Sequence, residues 1–272
     1  MSLVLIMAII SEFRPGYFCW IELCSSDWQS AKPFYSQLFD WQILDQPIGE
    51  DCYYTMLQKE ADDVAAMYQM TAEQQQGGMP SHWLAYVAVD NVDECLNKAY
   101  ELGAEVLAGP HDVPGAGRMV MLKEPGGAVF ALWQESGHIG TQRHLEANTP
   151  YWFELVSKNS AKSRDFYSAL FGWQIEVKDM GNMDYTLFKV NEQPVAGMLE
   201  MTTEWGEDIP PHWMIYIAVL DCDSKAEYAQ KLGGEICVPP TDIPEVGRFS
   251  VITDPQGAVF SIIESAMDDI ST

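Results

Sequence analysis

Basic side chains are scarce in this 272-residue chain: 15 Lys and Arg stand against 40 Asp and Glu, a formal net charge of −25. Nucleic-acid affinity comes largely from Lys and Arg displacing phosphate counterions, so a nucleic-acid partner is excluded. Anionic membrane surfaces are disfavoured on the same ground, and the acidity itself reads as solubility. Long apolar runs are missing too. Residues 3–10 form the one suspicious run, but a spanning helix needs about 20 apolar residues and a signal peptide needs a basic segment before its core. The run is either an added edge strand or part of a leader, with Met7 as the true start. Cysteine pairs are absent as well. Cys19, Cys24, Cys52, Cys95, Cys222 and Cys237 form no C-x-x-C motif, and most lie in apolar stretches, where buried free thiols in a reducing cytoplasm are expected. P-loop, G-x-G-x-x-G, G-x-S-x-G and H-E-x-x-H patterns are all lacking, and Gly115-Ala116-Gly117 reads as a turn.

What the chain does have is apolar mass, 47% of residues with 12% aromatic, ample for packed cores in about two domains. It also has an internal repeat. Trp20-Ile21-Glu22-Leu23 recurs as Trp152-Phe153-Glu154-Leu155, and Phe34-Tyr35, Leu38-Phe39 and Trp41 recur at the same spacing as Phe166-Tyr167, Leu170-Phe171 and Trp173. After small loop deletions His82-Trp83 meets His212-Trp213, Tyr86 meets Tyr216, Gly117-Arg118 meets Gly247-Arg248, and Gly127 to Phe130 meets Gly257 to Phe260. The chain therefore reads as two copies of one unit, residues 13–135 and 150–266, joined by a polar linker over 136–149.

Within the first copy the pattern predicts a strand over 18–24 and then a helix capped by Ser26 or Asp27, with Ala31, Phe34, Tyr35 and Leu38 on its apolar face. Pro33 limits where that helix can be regular. Strands follow from Trp41, over 53–58 and over 64–70, and the string Gln74 to Gly78 reads as a loop. The second half predicts a strand over 83–89, a helix over 92–102 stopped by Gly103, and strands over 118–123 and 128–134. Glu124-Pro125-Gly126-Gly127 and its twin Asp254-Pro255-Gln256-Gly257 read as hairpin turns. The class is α+β, with two βαβββ modules per copy.

That order of elements, with Phe34-Tyr35 before Leu38-Phe39-Asp40-Trp41, Val89-Asp90-Asn91-Val92 at the second helix, and the Pro-Gly turn before the last strand, resembles the glyoxalase / bleomycin-resistance / extradiol-dioxygenase superfamily, the vicinal oxygen chelate fold. The resemblance covers nearly the whole chain and is closest to the tandem-domain, glyoxalase-like branch. It implies that each domain curls its mixed sheet into an open cup with the ligand inside and helices outside. It also implies either a lactoylglutathione-lyase or dioxygenase activity on a divalent ion, or a ligand-sequestering role as in the resistance proteins.

Metal-dependent members draw His, Glu or Gln ligands from three strands. Counted from the matching motifs, those positions fall on Trp20, Leu84 and Ala131 in copy one, and on Trp152, Met214 and Ser261 in copy two. None is a plausible ligand, so no metal and no cofactor are expected. His82 and His212 each lie two residues from such a position, and a register slip there would restore a ligand. A bland alternative for both is a hydrogen bond to the preceding loop.

Alternation along a strand then places Trp20 and Glu22 in the cup with Ile21 and Leu23 against the helices. Tyr86 and Trp133, with Trp152 and Tyr216 in the twin, join the inner face as ligand-stacking groups or as simple filling. Glu22 and Glu154 sit among apolar residues and need a partner. They are either structural, ion-paired to Arg118 and Arg248, or functional, as a general base or ligand acceptor. The two arginines are themselves candidate anion-binding groups. Glu200 reads as surface, opposite Met70 of copy one. The expected partner is a small organic molecule, and no feature of the sequence fixes an oligomeric state. Only one of the two cups being live is the remaining alternative.

Overall fold

A computed structural model describes residues 10–266 apart from 13, 182, 204 and 207, together with residue 270. The apolar run at 3–10 lies, except for Ile10, outside the described residues.

The first copy runs β1 (Phe18–Ser25), α1 (Trp28–Phe39), β2 (Gln42–Gly49), β3 (Cys52–Lys59), β4 (Asp62–Gln69), α2 (Ala72–Gln76), β5 (His82–Ala88), α3 (Val92–Glu101), β6 (Glu105–Val113), β7 (Gly117–Lys123) and β8 (Val129–Glu135). The second runs β9 (Pro150–Ser157), α4 (Ser160–Phe171), β10 (Gln174–Asp179), β11 (Asp184–Val190), β12 (Gln193–Glu200), β13 (His212–Ala218), α5 (Cys222–Lys231), β14 (Glu235–Ile243), β15 (Gly247–Thr253) and β16 (Val259–Ser265). Each copy is one eight-stranded mixed sheet, ordered β2-β3-β4-β1-β5-β8-β7-β6 and β10-β11-β12-β9-β13-β16-β15-β14. The two βαβββ modules of a copy meet where β1 pairs antiparallel with β5 and β9 with β13.

Local chemistry sets the helix ends. Asp27, Asn91, Asn159 and Asp221 each accept the amide three residues on, the N-cap geometry that these short polar side chains favour. Gly103 and Gly233 leave their helices at φ +90° and +97°, conformations a Cβ would strain. Helix α1 runs unbroken through Pro33, because burial of Phe34, Tyr35, Leu38 and Phe39 outweighs one lost backbone bond. Two expectations are corrected. The Gln-rich stretch is a short helix, closed by a capping box between Thr71 and Gln74, and β6 adds an edge strand that its exposed, non-alternating sequence did not announce.

Helices α1, α3, α4 and α5 lie on the convex face of their sheets, yet they are interior to the chain, while α2 is exposed. One continuous core unites α1, α3 and the convex side of the first sheet with α4, α5 and that of the second. Phe18 stacks on Phe153 at 4.1 Å, and polar ties cross between the copies in both directions. Tyr35 donates to Asp254 at 2.8 Å, Lys98 Nζ to the Leu170 carbonyl, Lys225 Nζ to the Leu38 carbonyl, and Trp173 Nε1 to the Gly16 carbonyl. The acidic-Pro turn of each copy thereby rests against the first helix of the other, since Ser163 of α4 donates to Glu124. Residues 136–149 are correspondingly packed rather than free. Thr141 N and Gln142 N bond the carbonyls of Cys19 and Asp63, and Arg143 pairs with Glu60, Asp62 and Glu146. No helix among the described residues is long and apolar enough to cross a membrane. Of the six cysteines only Cys24 and Cys222 are buried, while Cys52 and Cys237 are exposed.

Candidate functional site

The concave face of the first sheet carries a second, smaller cluster of Trp20, Met56, Ala66, Leu84, Tyr86, Met119, Ala131 and Trp133. Ile21 and Leu23 point the other way into the shared core, as strand alternation requires. Glu22 lies within this apolar bowl at 7% exposure, opposite Leu84 across the β1–β5 ladder. Both of its oxygens are taken by phenols: Tyr86 donates to Oε1 at 2.5 Å and Tyr54 to Oε2 at 2.8 Å. Trp20 Nε1 donates to the Tyr54 oxygen at 3.0 Å, closing a Trp–Tyr–Glu–Tyr network.

The second cup repeats it. Glu154, 9% exposed, accepts from Tyr216 at 2.9 Å and Tyr185 at 2.8 Å, and Trp152 Nε1 donates to Tyr185 at 3.1 Å. Gly197 lets Tyr185 sit close, since a Cβ there would lie 1.8 Å from its hydroxyl oxygen, whereas the first cup forms the same network with Ala66 at that ladder position. No cation neutralises either carboxylate within the network. Burial pushes the carboxyl groups of Glu22 and Glu154 above the usual range, more than the two phenols lower them. Each is thus a carboxyl poised toward accepting a proton, wrapped in aromatic rings.

Tyr54 and Tyr185 were missed by sequence reasoning. Their signal was present, for Tyr54-Thr55 recurs as Tyr185-Thr186 between repeat blocks that were aligned. His138 was missed too, since it belongs to the stretch expected to be a linker. Its ring stands edge-on to Trp20 at 4.7 Å, its carbonyl accepts from Trp133 Nε1 at 2.8 Å, and its Nε2 lies 3.4 Å from Asp63, an ion-pair distance too poorly aligned to count as a hydrogen bond. The stretch 136–149 therefore contributes to the first cup.

The expected arginine partners are not there. Arg118 and Arg248 emerge on the helix-bearing side of their sheets. Arg118 forks onto Asp93 of α3 and bonds Asp112, and Arg248 does the same with Asp223 of α5 and Asp242. Adjacent strand residues face opposite ways, so a guanidinium next to the cup-facing Met119 belongs to the other face. His82 and His212 share the cup side of their strands with Tyr86 and Tyr216, at the strand starts. Each places Nδ1 against a proline carbonyl, that of Pro80 at 2.9 Å and Pro210 at 2.8 Å. A carbonyl only accepts, so Nδ1 carries a proton in either ring. Burial lowers the His212 pKa, favouring the neutral ring. Cys24, on the same face as Glu22, has its thiol pushed up to about 11 by burial and is no ready nucleophile. Glu200 is exposed, at the start of α4, and its ladder counterpart is Gln69 rather than Met70.

A resident divalent ion would need three or four N or O donors converging. The carboxylate at the centre of each cup already serves two phenols. Among the described residues no three His, Cys, Asp or Glu side chains come together in such a group, and the donor set does not fit the ion.

Comparison with known proteins matches this architecture. The family model of the glyoxalase/bleomycin resistance protein/dioxygenase superfamily matches residues 18–132 and again 149–262. CFP32 of Mycobacterium tuberculosis, which carries a provisional glyoxylase name, is 36% identical over 258 residues, covering 94% of this chain and 97% of its own. The anthracycline biosynthesis protein DnrV of Streptomyces peucetius is 31% identical over 268 residues, covering 94% and 95%. Among solved structures, the Mn(II)-bound glyoxalase of Novosphingobium aromaticivorans superposes with a TM-score of 0.65 at 16% identity, covering 95% of this chain and 84% of that one. A catechol 2,3-dioxygenase gives 0.60 at 12%, covering 95% and 92%. At those identities the likeness concerns the fold. With both repeats matched over almost their full length, the chain belongs to the glyoxalase/bleomycin resistance protein/dioxygenase superfamily, as a tandem of two such domains.

Proposed function

We propose that the two cups bind small planar organic molecules without a metal ion, with Glu22 and Glu154 as the proton-accepting groups at their centres. The observation that carries this reading is the duplicated Trp–Tyr–Glu–Tyr network: two buried carboxyls, each held by two phenols and no cation, recur at equivalent positions. A carboxyl raised by burial accepts a proton more readily than an exposed one, and the tyrosine hydroxyl that donates to it is the group a ligand would meet first. Aromatic walls suit a flat ligand, and relatives named for anthracycline biosynthesis point the same way. Proton transfer to such a base fits an isomerase or lyase reaction, and tight binding without turnover fits sequestration. The second cup is the more accessible, since Trp152 and Phe249 are only partly buried where their counterparts Trp20 and Met119 are buried.

The test is a binding and turnover screen of hydroxylated aromatic and quinone compounds against the wild type, Glu154→Gln and Glu22→Gln. The expected outcome is retained folding with binding weakened about tenfold or more, or turnover abolished, in the variants. The reading fails if ligands bind and react unchanged when both carboxyls are neutralised. It also fails if a stoichiometric divalent ion, found by elemental mass spectrometry after loading with Mn, Fe, Ni or Zn, is needed for activity; lactoylglutathione-lyase or dioxygenase chemistry would then take its place.

A further inference from the structure

The two copies differ sharply at one place outside the cups. In the first copy the indole of Trp28 fills the space between the start of α1 and the strands β2 to β4. It is 7% exposed, its Nε1 donates to Thr55 Oγ1 at 2.6 Å, and Lys32 Nζ stands 3.8 Å above its ring. Thr55 passes a hydrogen bond on to Asp45 at 2.6 Å, and Asp45 also holds Lys32. Indole, hydroxyl, carboxylate and ammonium form a closed set with every polar group satisfied.

In the second copy the ladder registers place Ser160 where Trp28 stands, Arg164 for Lys32, Thr186 for Thr55 and Val177 for Asp45. The indole and the carboxylate are gone while the hydroxyl and the cation remain. A cavity of about 310 Å³ opens there, lined by Ser160, Arg164, Thr186, Met198 and Glu200 among others. Thr186 is 3% exposed, yet among the described residues it has no counterpart to either partner of Thr55, and Arg164 has no counterpart to Asp45. Glu200 is engaged by the Ser160 hydroxyl and amide, and Asp184 lies at the exposed margin.

We infer that this cavity is a ligand site, distinct from the cups, for a planar aromatic molecule bearing a ring N–H and an anionic group, of the indole-carboxylate class. The ligand supplies what Trp28 and Asp45 supply within the first copy. Its ring lies on Met198 under the guanidinium, its N–H donates to Thr186, and its carboxylate meets Arg164. The Thr186 hydroxyl opens onto the cavity, so a ligand N–H that reaches it exchanges a bond to water for one inside an apolar wall.

Isothermal titration of the full chain with indole-3-acetate, indole and tryptamine tests the site. Indole-3-acetate is expected to bind once per chain and more tightly than indole, with tryptamine weakest because Arg164 repels its ammonium. Ser160→Trp refills the cavity and should weaken binding by at least tenfold. Arg164→Gln should erase the preference for the acid over indole, and Thr186→Val should weaken both about tenfold; these two keep the test decisive if Ser160→Trp does not fold. Glu154→Gln, which alters the cup, should leave binding unchanged. The inference is overturned if no probe gives saturable binding, if tryptamine binds best, if Ser160→Trp folds and binds as the wild type does, or if Glu154→Gln removes the binding, which would place the probe in the cup.

Discussion

Replacing Glu22 with Gln tests whether the centre of the cup is held by charge or by shape. In the folded chain the Glu22 carboxyl titrates above its usual range because burial penalises the anion, and the two phenols from Tyr54 and Tyr86 recover only part of that penalty. In the unfolded chain it titrates near the ordinary value of about 4.3. Between those two values the folded state binds more protons than the unfolded one. The contribution of this group is therefore fully present below the unfolded value and is lost as pH rises through the folded value. Each tenfold displacement of the protonation equilibrium corresponds to about 1.4 kcal/mol, so wild type loses stability relative to a neutral isostere as pH rises, in proportion to how far burial displaces that equilibrium. Gln keeps the shape and one acceptor oxygen without the charge. The difference in unfolding free energy, Glu22→Gln minus wild type, should rise as pH goes from the unfolded value toward neutrality and end positive or near zero. Glu22→Ala strands both phenols, and at about 1–3 kcal/mol for each unpaired buried group it should be destabilising at every pH. Urea unfolding across that pH range measures both. The difference must be taken between variant and wild type, because carboxylates held low by partners, such as Asp63 beside His138 and Asp223 beside Arg248, act in the opposite sense on the whole protein. A flat difference curve, or a Gln variant that loses most at neutral pH, would refute the reasoning and mark Glu22 as an anion the fold requires.

Further expectations follow from the same contacts. Tyr35→Phe removes the hydroxyl that reaches Asp254 of the other copy and receives Trp83 Nε1; a loss of about 1–3 kcal/mol should appear in one cooperative unfolding transition, because the core is shared, and two separated transitions would contradict that. Gly197→Ala places a Cβ against the Tyr185 hydroxyl, so a crystal structure of the variant should show the Tyr185 ring displaced yet still bonded to Glu154, as Tyr54 is to Glu22 beside Ala66, and a Tyr185 turned away would contradict that. Arg118→Ala should leave ligand binding in the cup unchanged and barely move the melting temperature, since its partners Asp93 and Asp112 are solvent-exposed; a loss of ligand affinity would restore the arginine to the site.

The sequence by itself determined whatever depends on short-range pattern. The repeat of Trp20 to Leu23 at Trp152 to Leu155 showed two copies, helical and alternating periodicities gave the βαβββ modules, and alternation sorted Glu22 into the cup and Ile21 into the core. These are legible because side-chain direction along a strand and apolar spacing along a helix are set by the local backbone. Only the tertiary structure decided the partners. In the sheet β1 lies between β4 and β5 with β3 beyond, an order unlike that of the chain, so Tyr54 and Tyr86 reach Glu22 while Arg118, on the neighbouring face, cannot. The crossing ties that join the two convex faces, the packing of 136–149 that brings His138 to Trp20, and the cavity left by Ser160 in place of Trp28 all depend on strand order and on which element of one copy meets the other. Charge and composition constrain none of these, since they arise where residues far apart in the chain are closed into one core.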